Sequence, residues 1–430
     1  MERREILLDE KHCNPVGLQT AEQINAKMVD GVKRHVGVDL SKQKCWICFI
    51  DGNGDVRYET ASLSSGKRES FDNLFQQGDL VLLEASTGTF QIARELNKRE
   101  GIVACVVNPK STHLDESNKK TDKQDSFGLS KFILRNPVEE LPLVSIPSDR
   151  EIEYRAILSQ YNSIDNQNTM YVNRLHAIFH DAGFPEAGKT YDLHTRQGRQ
   201  AAIASCFGDR KYSEPKALAK DIDRLLAMQE EVLEREMRKI ASIVAGNPKM
   251  ATILGSIPGI GMLNIAAIIA FIGDISRFSS AGQLCAYCGL VPRVSQSGQR
   301  DAKRKITKEG QAILRKFLIQ AVYAMSRTTC DFKLKEKLKE MEKRMPRRKA
   351  VVAIARQLVR IMYSMLKNGT LFSGSTEQEK EEIVKYQKRK IVAEIGTYNK
   401  ICKSCNEFLA MKERSNLLDW NKLGICSSGA

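Results

Sequence analysis

His35-Val36-Gly37-Val38-Asp39-Leu40 decides how this chain is read. The run is short and β-rich, and Asp39 sits at or just inside its end. A second apolar run, Cys45 to Ile50, follows at once. Asp51-Gly52-Asn53-Gly54 then supplies turn chemistry before a third run from Val56 to Thr60. The pattern next predicts a helix over Arg68–Gln76, a compact strand Leu80–Leu83 ending at Glu84, a helix over Phe90–Arg99 and a strand over Ile102–Val107. Antiparallel strands followed by alternating helices and strands describe an α/β sheet domain.

Beyond it the periodicity becomes helical. Apolar residues at Leu218, Ile222, Leu225, Val232, Met237 and Ile240, with charged faces between them, fit a long coiled-coil-like helix in a projecting hairpin, with a dimer contact as one use for it. The expected organisation is α/β plus α. A polar leader (1–33) precedes the sheet domain (34–145). A helical, coiled-coil region (146–246), a mostly helical C-terminal domain (247–372) and a tail (373–430) follow.

The chain has 430 residues, with 67 Lys and Arg against 52 Asp and Glu, a net charge of +15. That excess suits a polyanionic partner, most simply nucleic acid. The charged start MERREILLDEKH lacks the apolar core of a secretory signal. The longest apolar run, 262–273, is interrupted by Asn264 and is too short for the ~20 residues of a membrane span. A cytoplasmic, nucleoid-associated protein is expected. Eleven cysteines include three CxxC pairs, Cys45/Cys48, Cys285/Cys288 and Cys402/Cys405. Neither of the first two is framed by the Gly- or Pro-rich knuckle of a zinc site, and reduced thiols packed as small hydrophobes are expected, with metal binding left open for Cys402/Cys405 near Cys426.

Acidic residues at strand ends carry the chemical reading. Asp39 closes the first strand and Glu84 the fourth. Thr121 is a candidate N-cap with Gln124 three residues on, which puts Asp122 and Asp125 in the first turn of a helix. One at a time these are ordinary: acids favour helix starts, and a strand end is solvated. Together they predict one site, in which four carboxylates would repel one another unless a hard divalent cation, most naturally Mg2+, neutralised them. Two such ions can stabilise the attacking and leaving oxygens of a phosphoryl displacement.

Two further segments suit phosphate. Ile257-Pro258-Gly259-Ile260-Gly261 presents backbone N–H groups at a helix start, with Gly259 and Gly261 as contact residues; a plain helix connection is the alternative. From Arg293 to Lys316 eight basic residues stand against two acidic ones, with Arg293, Arg300, Lys303, Arg304, Lys305 and Lys308 around Ser295-Gln296-Ser297-Gly298. On chemistry alone Ser297 reads as a hydrogen-bond partner of phosphate or as a nucleophile activated by its basic neighbours. A third basic run, nine Lys and Arg between Lys333 and Lys349, precedes an apolar helix read over Ala350–Leu366.

In this order, HVGVDLSK, LLEASTG, KKTDKQDS, SIPGIG, CGLVPRVSQSG and KITKEG with LRK after it resemble the DEDD transposases of bacterial insertion sequences, the bridge-RNA-guided serine recombinases with a RuvC-like domain. The similarity spans about residues 34 to 370. The resemblance implies an RNase H/RuvC-like sheet domain whose Asp39, Glu84, Asp122 and Asp125 hold magnesium. It also implies that Ser297, rather than its neighbour Ser295, attacks DNA phosphate to form a phosphoserine link. It further implies a composite site shared between protomers, a dimer or tetramer, target and donor DNA as substrates, and a noncoding guide RNA. One departure is Lys305, where the family usually has glycine. The readings set against it are a magnesium-dependent structure-specific endonuclease using water, and a non-catalytic nucleic-acid-binding protein.

Overall fold

A computed structural model describes residues 21–28, 31–64, 66, 68–86, 88–109, 121–208, 210–292, 306–308 and 310–398. The chain divides into two compact units, Met1–Arg150 and Glu151–Ala430.

In the first unit, β1 (Arg34–Leu40), β2 (Lys44–Asp51), β3 (Val56–Ser62), β4 (Asp79–Glu84) and β5 (Val103–Val107) form one sheet in the order β3-β2-β1-β4-β5. The β1–β2 and β2–β3 pairs are antiparallel, whereas β1–β4 and β4–β5 are parallel. Asp51 begins the β2–β3 turn by accepting from the N–H groups of Asn53 and Asp55. Four helices belong to this unit, α1 (Ala21–Lys27), α2 (Arg68–Asp72), α3 (Thr89–Asn97) and α4 (Asp122–Arg135); α5 (Asp149–Asp181) follows, and the second unit begins in its first turn.

Strand alternation sorts the sheet into two faces. Val36, Val38, Val81, Leu83, Ala104 and Val106 face Phe71, Phe75, Ile92 and Leu96 around α2 and α3. Leu80, Leu82, Val103, Cys105 and Val107 face Leu129 and Ile133 of α4, together with Ile24 and Met28. Ile24 and Met28 of the leader therefore belong to the core; two apolar anchors in so short a segment are too few for a readable period. β5 is buried along its whole length, as expected for a parallel strand covered on both sides. At the opposite end from the acids, buried Asp79 takes both Arg34 nitrogens at 2.6 Å and the Gln76 N–H at 2.8 Å, with the guanidinium lying over Phe49.

Gly37 sets how closely α4 lies on the sheet. A Cβ there would collide with the Ser126 carbonyl oxygen and stand 2.5 Å from Ser130 N and 2.7 Å from Ser130 Oγ. The helix thus rests on strand backbone, held by Ser130 Oγ, which donates to the Cys48 carbonyl at 2.7 Å.

The second unit is helical. After α5 come α6 (Ala187–Thr190), α7 (Arg196–Cys206), α8 (Ser213–Ala245), α9 (Pro248–Gly255), α10 (Met262–Ile272) and α11 (Ala281–Tyr287). They are followed by α12 (Ala312–Ser326), α13 (Lys333–Arg344), α14 (Arg347–Asn368) and α15 (Glu377–Tyr398). Helix α5, 33 residues and about 50 Å long at 1.5 Å per residue, shares an apolar cluster including Leu175, Phe179, Ile222 and Leu226 with the equally long α8. Buried Arg199 of α7 joins it through Asp223 at 2.6 Å and Glu230 at 2.9 Å. The apolar run read at 262–273 is α10, whose Ile265–Ile272 stretch is wholly buried in the helical core. No helix among the described residues is long and apolar enough to cross a membrane.

The close approach at Gly37 predicts that Gly37→Ala costs about 1–3 kcal/mol, because the added methyl overpacks a backbone contact that cannot yield. Urea unfolding monitored in the first unit should show the loss, while an exposed alanine substitution such as Asp55→Ala stays within about 0.5 kcal/mol.

Candidate active site

Parallel register brings the first two acids together. Val38 of β1 pairs with Leu83 of β4, so one residue further on Asp39 stands beside Glu84. Both continue the face on which Gly37, Leu80 and Leu82 lie, the face covered by α4. Thr121 is the N-cap of α4, extended at φ −142° and ψ 142°, and its hydroxyl accepts from Gln124 N. Its first turn brings Asp122, exposed, and Asp125, half-buried, to the carboxyl end of the strands. The expected acids are thereby gathered at one end of one face.

Their proximity has an electrostatic signature. The Asp39 carboxyl is pushed up to about 6, first by burial and then by the negative charges of Asp122, Asp125 and Glu84. Asp39 is partly enclosed and feels the other three. No group of three or more His, Cys, Asp and Glu side chains among the described residues is already gathered closely enough to hold a metal ion. The donor set, four carboxylates, fits a hard divalent cation by its chemistry.

Residues outside the expected set hold the site in place. The buried Thr89 hydroxyl donates to the Glu84 carbonyl at 2.8 Å and lies 2.8 Å from Ser86 Oγ, fixing the chain just after Glu84. Gly88, at φ 87°, turns the chain into α3. Gly37 and Ser130 position α4, and so Asp122 and Asp125. Only the paired threonines of LLEASTGT and the glycine inside an apolar strand signalled these roles.

In the second unit, Gly259 sits at φ 86° against α12, where a Cβ would lie 2.5 Å from Met325 N. Gly261 caps α10 in extended conformation with open space where a Cβ would be. The Asn264 side-chain amide donates to the Phe317 carbonyl at 2.7 Å and accepts from Gly261 N–H at 3.2 Å. The turn is held from the far side by α15, a helix the sequence reading did not foresee. Gln387 donates to the Ser256 carbonyl at 2.6 Å, and Lys390 Nζ donates to the carbonyls of Gly255, at 3.1 Å, and Ile260.

The basic loop has a defined neck. Pro292 bridges Ile306, and Thr307 N–H donates to the Val291 carbonyl at 2.9 Å. Gly310 packs so closely that a Cβ would strike the Tyr287 carbonyl and stand 2.5 Å from Gly289 N. Lys308, exposed, follows at φ 55°. Arg293, Ser295, Ser297, Arg300, Lys303, Arg304 and Lys305 lie outside the described residues, as does the Cys402/Cys405 pair. Cys45, Cys48, Cys285 and Cys288 are buried free thiols; burial pushes Cys45 up to about 11 and raises Cys288 further.

Residues 251–339, which include the Gly259 turn and the neck, match the Transposase IS116/IS110/IS902 family. That segment is similar to the transposase domain of this family. Relatives of this domain extend the similarity over most of the chain. A probable family 20 transposase of Pseudomonas aeruginosa is 25% identical over 350 residues, covering 78% of this chain and 98% of its own. The transposase for insertion sequence element IS1111A of Coxiella burnetii is 24% identical, over 77% and 89%. A pilin gene-inverting protein of Moraxella bovis is 24% identical, over 79% and 98%.

The elevated Asp39 value fixes a pH dependence for the cation-free protein. Its folded value lies above its unfolded value near 3.8, so protonation favours the folded state. The contribution is fully present below about pH 3.8 and is lost as pH rises through about 6. Carboxyl-carbon NMR should show Asp39 titrating near 6. Asp122→Asn with Asp125→Asn should bring that midpoint down, and a midpoint unmoved by the double change would refute the coupling.

Proposed function

We propose that this protein is a DNA transposase of an insertion sequence, cutting and rejoining strands through a phosphoserine intermediate. The observation that carries the reading is the pull of Glu84, Asp122 and Asp125 on the ionisation of Asp39 at the carboxyl end of a mixed sheet. The transposase domain matched downstream supports it, as do relatives named for transposition and for gene inversion. The strand order, with three antiparallel strands leading into two parallel ones, agrees with the RuvC-like expectation.

In this reading Asp39, Glu84, Asp122 and Asp125 hold magnesium. The bound cation would supply charge neutralisation for the phosphate that reacts. Ser297 Oγ forms the new bond to phosphorus as a DNA hydroxyl departs and takes up a proton; reversal of that step rejoins the strand. Arg293, Arg300, Lys303, Arg304, Lys305 and Lys308 bind the phosphates and balance the developing charge, with Gly259 offering a backbone contact while the Gly261 N–H is held by Asn264. A noncoding guide RNA that pairs with target and donor DNA belongs to the same proposal, as does assembly of two to four copies. Helices α5 and α8 offer such assembly exposed apolar side chains at Met170, Leu218, Leu225 and Met228.

Ser297→Ala should abolish the covalent protein–DNA adduct on a suicide substrate. Strand cleavage that survives undiminished in that variant would point instead to a water-using endonuclease. Asp39→Asn with Glu84→Gln should leave DNA binding within about twofold while lowering cleavage by at least 10²-fold, as expected when groups that stabilise charge in the transition state are lost. A wild-type chain that binds DNA but shows no magnesium-dependent chemistry on any paired or branched substrate would favour a non-catalytic binding protein.

A further inference from the structure

Helix α14 was legible as apolar, and its buried face justifies that: Ala350, Val351, Ile354, Ala355, Leu358, Val359, Met362 and Met365 are all buried. At about 100° per residue these side chains centre on one side of the helix. Lys349, Arg356, Arg360 and Lys367 fall within about 40° of one another on the opposite side. Lys349, Arg360 and Lys367 are exposed and Arg356 is half-buried. Four cations thus form a straight line about 27 Å long, eighteen residues at 1.5 Å each.

The line has no internal neutralisation. Neighbouring bases are matched locally: Arg347 meets Glu342, Arg344 meets Glu340, and Lys335 and Lys339 share Asp331. Among the described residues no carboxylate pairs with Lys349, Arg356, Arg360 or Lys367. The stripe also borders α11, where Cys285 Sγ lies 3.6 Å from the Arg356 carbonyl oxygen. Both Arg356 and Arg360 act on the Cys285 thiol, holding down a value that burial raises. Helix α11 runs directly into Cys288–Val291 and the neck of the basic loop.

We propose that the outer face of α14 is a docking track for the sugar–phosphate backbone of duplex DNA, with Lys349, Arg356, Arg360 and Lys367 as its phosphate contacts. The inference rests on the reading of the chain as a DNA transposase and adds a surface outside the matched 251–339 segment. Its occupant follows from the geometry. The apolar face of α14 is spent on the core, so the helix cannot lie in a lipid interface, which requires such a face. Fixed cations in a straight line suit a stiff polyanion, and duplex DNA stays straight over far more than this length.

The test uses the full-length chain without divalent ions, so that no cleavage intervenes. Fluorescence anisotropy would measure binding to a DNA duplex over a range of salt concentrations. Each phosphate contact contributes a slope of about −0.9 to log K against log salt. The variant K349Q/R356Q/R360Q/K367Q should lose about 3 to 4 units of slope and bind at least about tenfold more weakly at moderate salt. The charge-retaining variant K349R/R356K/R360K/K367R should keep the wild-type slope. A control with four cations removed elsewhere, K189Q/K220Q/R224Q/K239Q, should keep it as well. An unchanged slope in the first variant overturns the track while leaving the transposase reading intact. So does an equal loss in the control, which would reduce the effect to net charge, or a loss seen with an RNA duplex alone. If the wild-type chain fails to bind duplex DNA at all, the track and the DNA reading fall together.

Discussion

Helix α4 lies on the bare backbone of β1, and the site proposed in the first unit depends on that contact. A side chain at Gly37 would lift the helix by the thickness of a methyl group, and its first turn would move away from the strand ends. Ser130, donating to the Cys48 carbonyl across the gap, keeps the approach polar as well as close. Burial of Asp39 and the nearness of Asp122 and Asp125 are consequences of this packing. The altered ionisation of Asp39 therefore originates in a missing side chain two residues upstream.

The sheet supplies the other half of the arrangement. A parallel β1–β4 pair points the carboxyl ends of both strands the same way, so acids that end each strand become neighbours without a loop to carry them. An antiparallel pair in the same place would have sent Glu84 to the far edge, beside Arg34. Buried Asp79 occupies that far edge, matched in full by Arg34 and Gln76. One end of the strand pair is thus neutralised within the fold, and the other retains opposed negative charge.

Much of the first unit was legible because its signals are local. Strand alternation, the Asp51–Gly54 turn and the Thr121 cap each act within a few residues, and the elements fall where those signals put them, within one to four residues at their ends. The acids were legible as strand ends and helix starts, although only the register of β1 on β4 makes Asp39 and Glu84 adjacent. Long-range features were not visible. Nothing near Ile24 announces that it packs under the sheet, and nothing near Gln387 or Lys390 announces partners some 130 positions earlier. The stripe on α14 escaped notice because its apolar face, the stronger periodic signal, dominates the same window.

The clasp of α15 on the Gly259 turn separates two meanings of a domain boundary. Sequence similarity ends the transposase segment at residue 339, whereas hydrogen-bond satisfaction extends it past 390. A protein trimmed to residues 251–339 would leave the carbonyls of Gly255, Ser256 and Ile260 without their side-chain donors. It would also lose the Phe372 N–H that the Ser256 hydroxyl accepts. The smallest portion of this chain able to fold around that turn is set by chemistry and reaches well beyond residues 251–339.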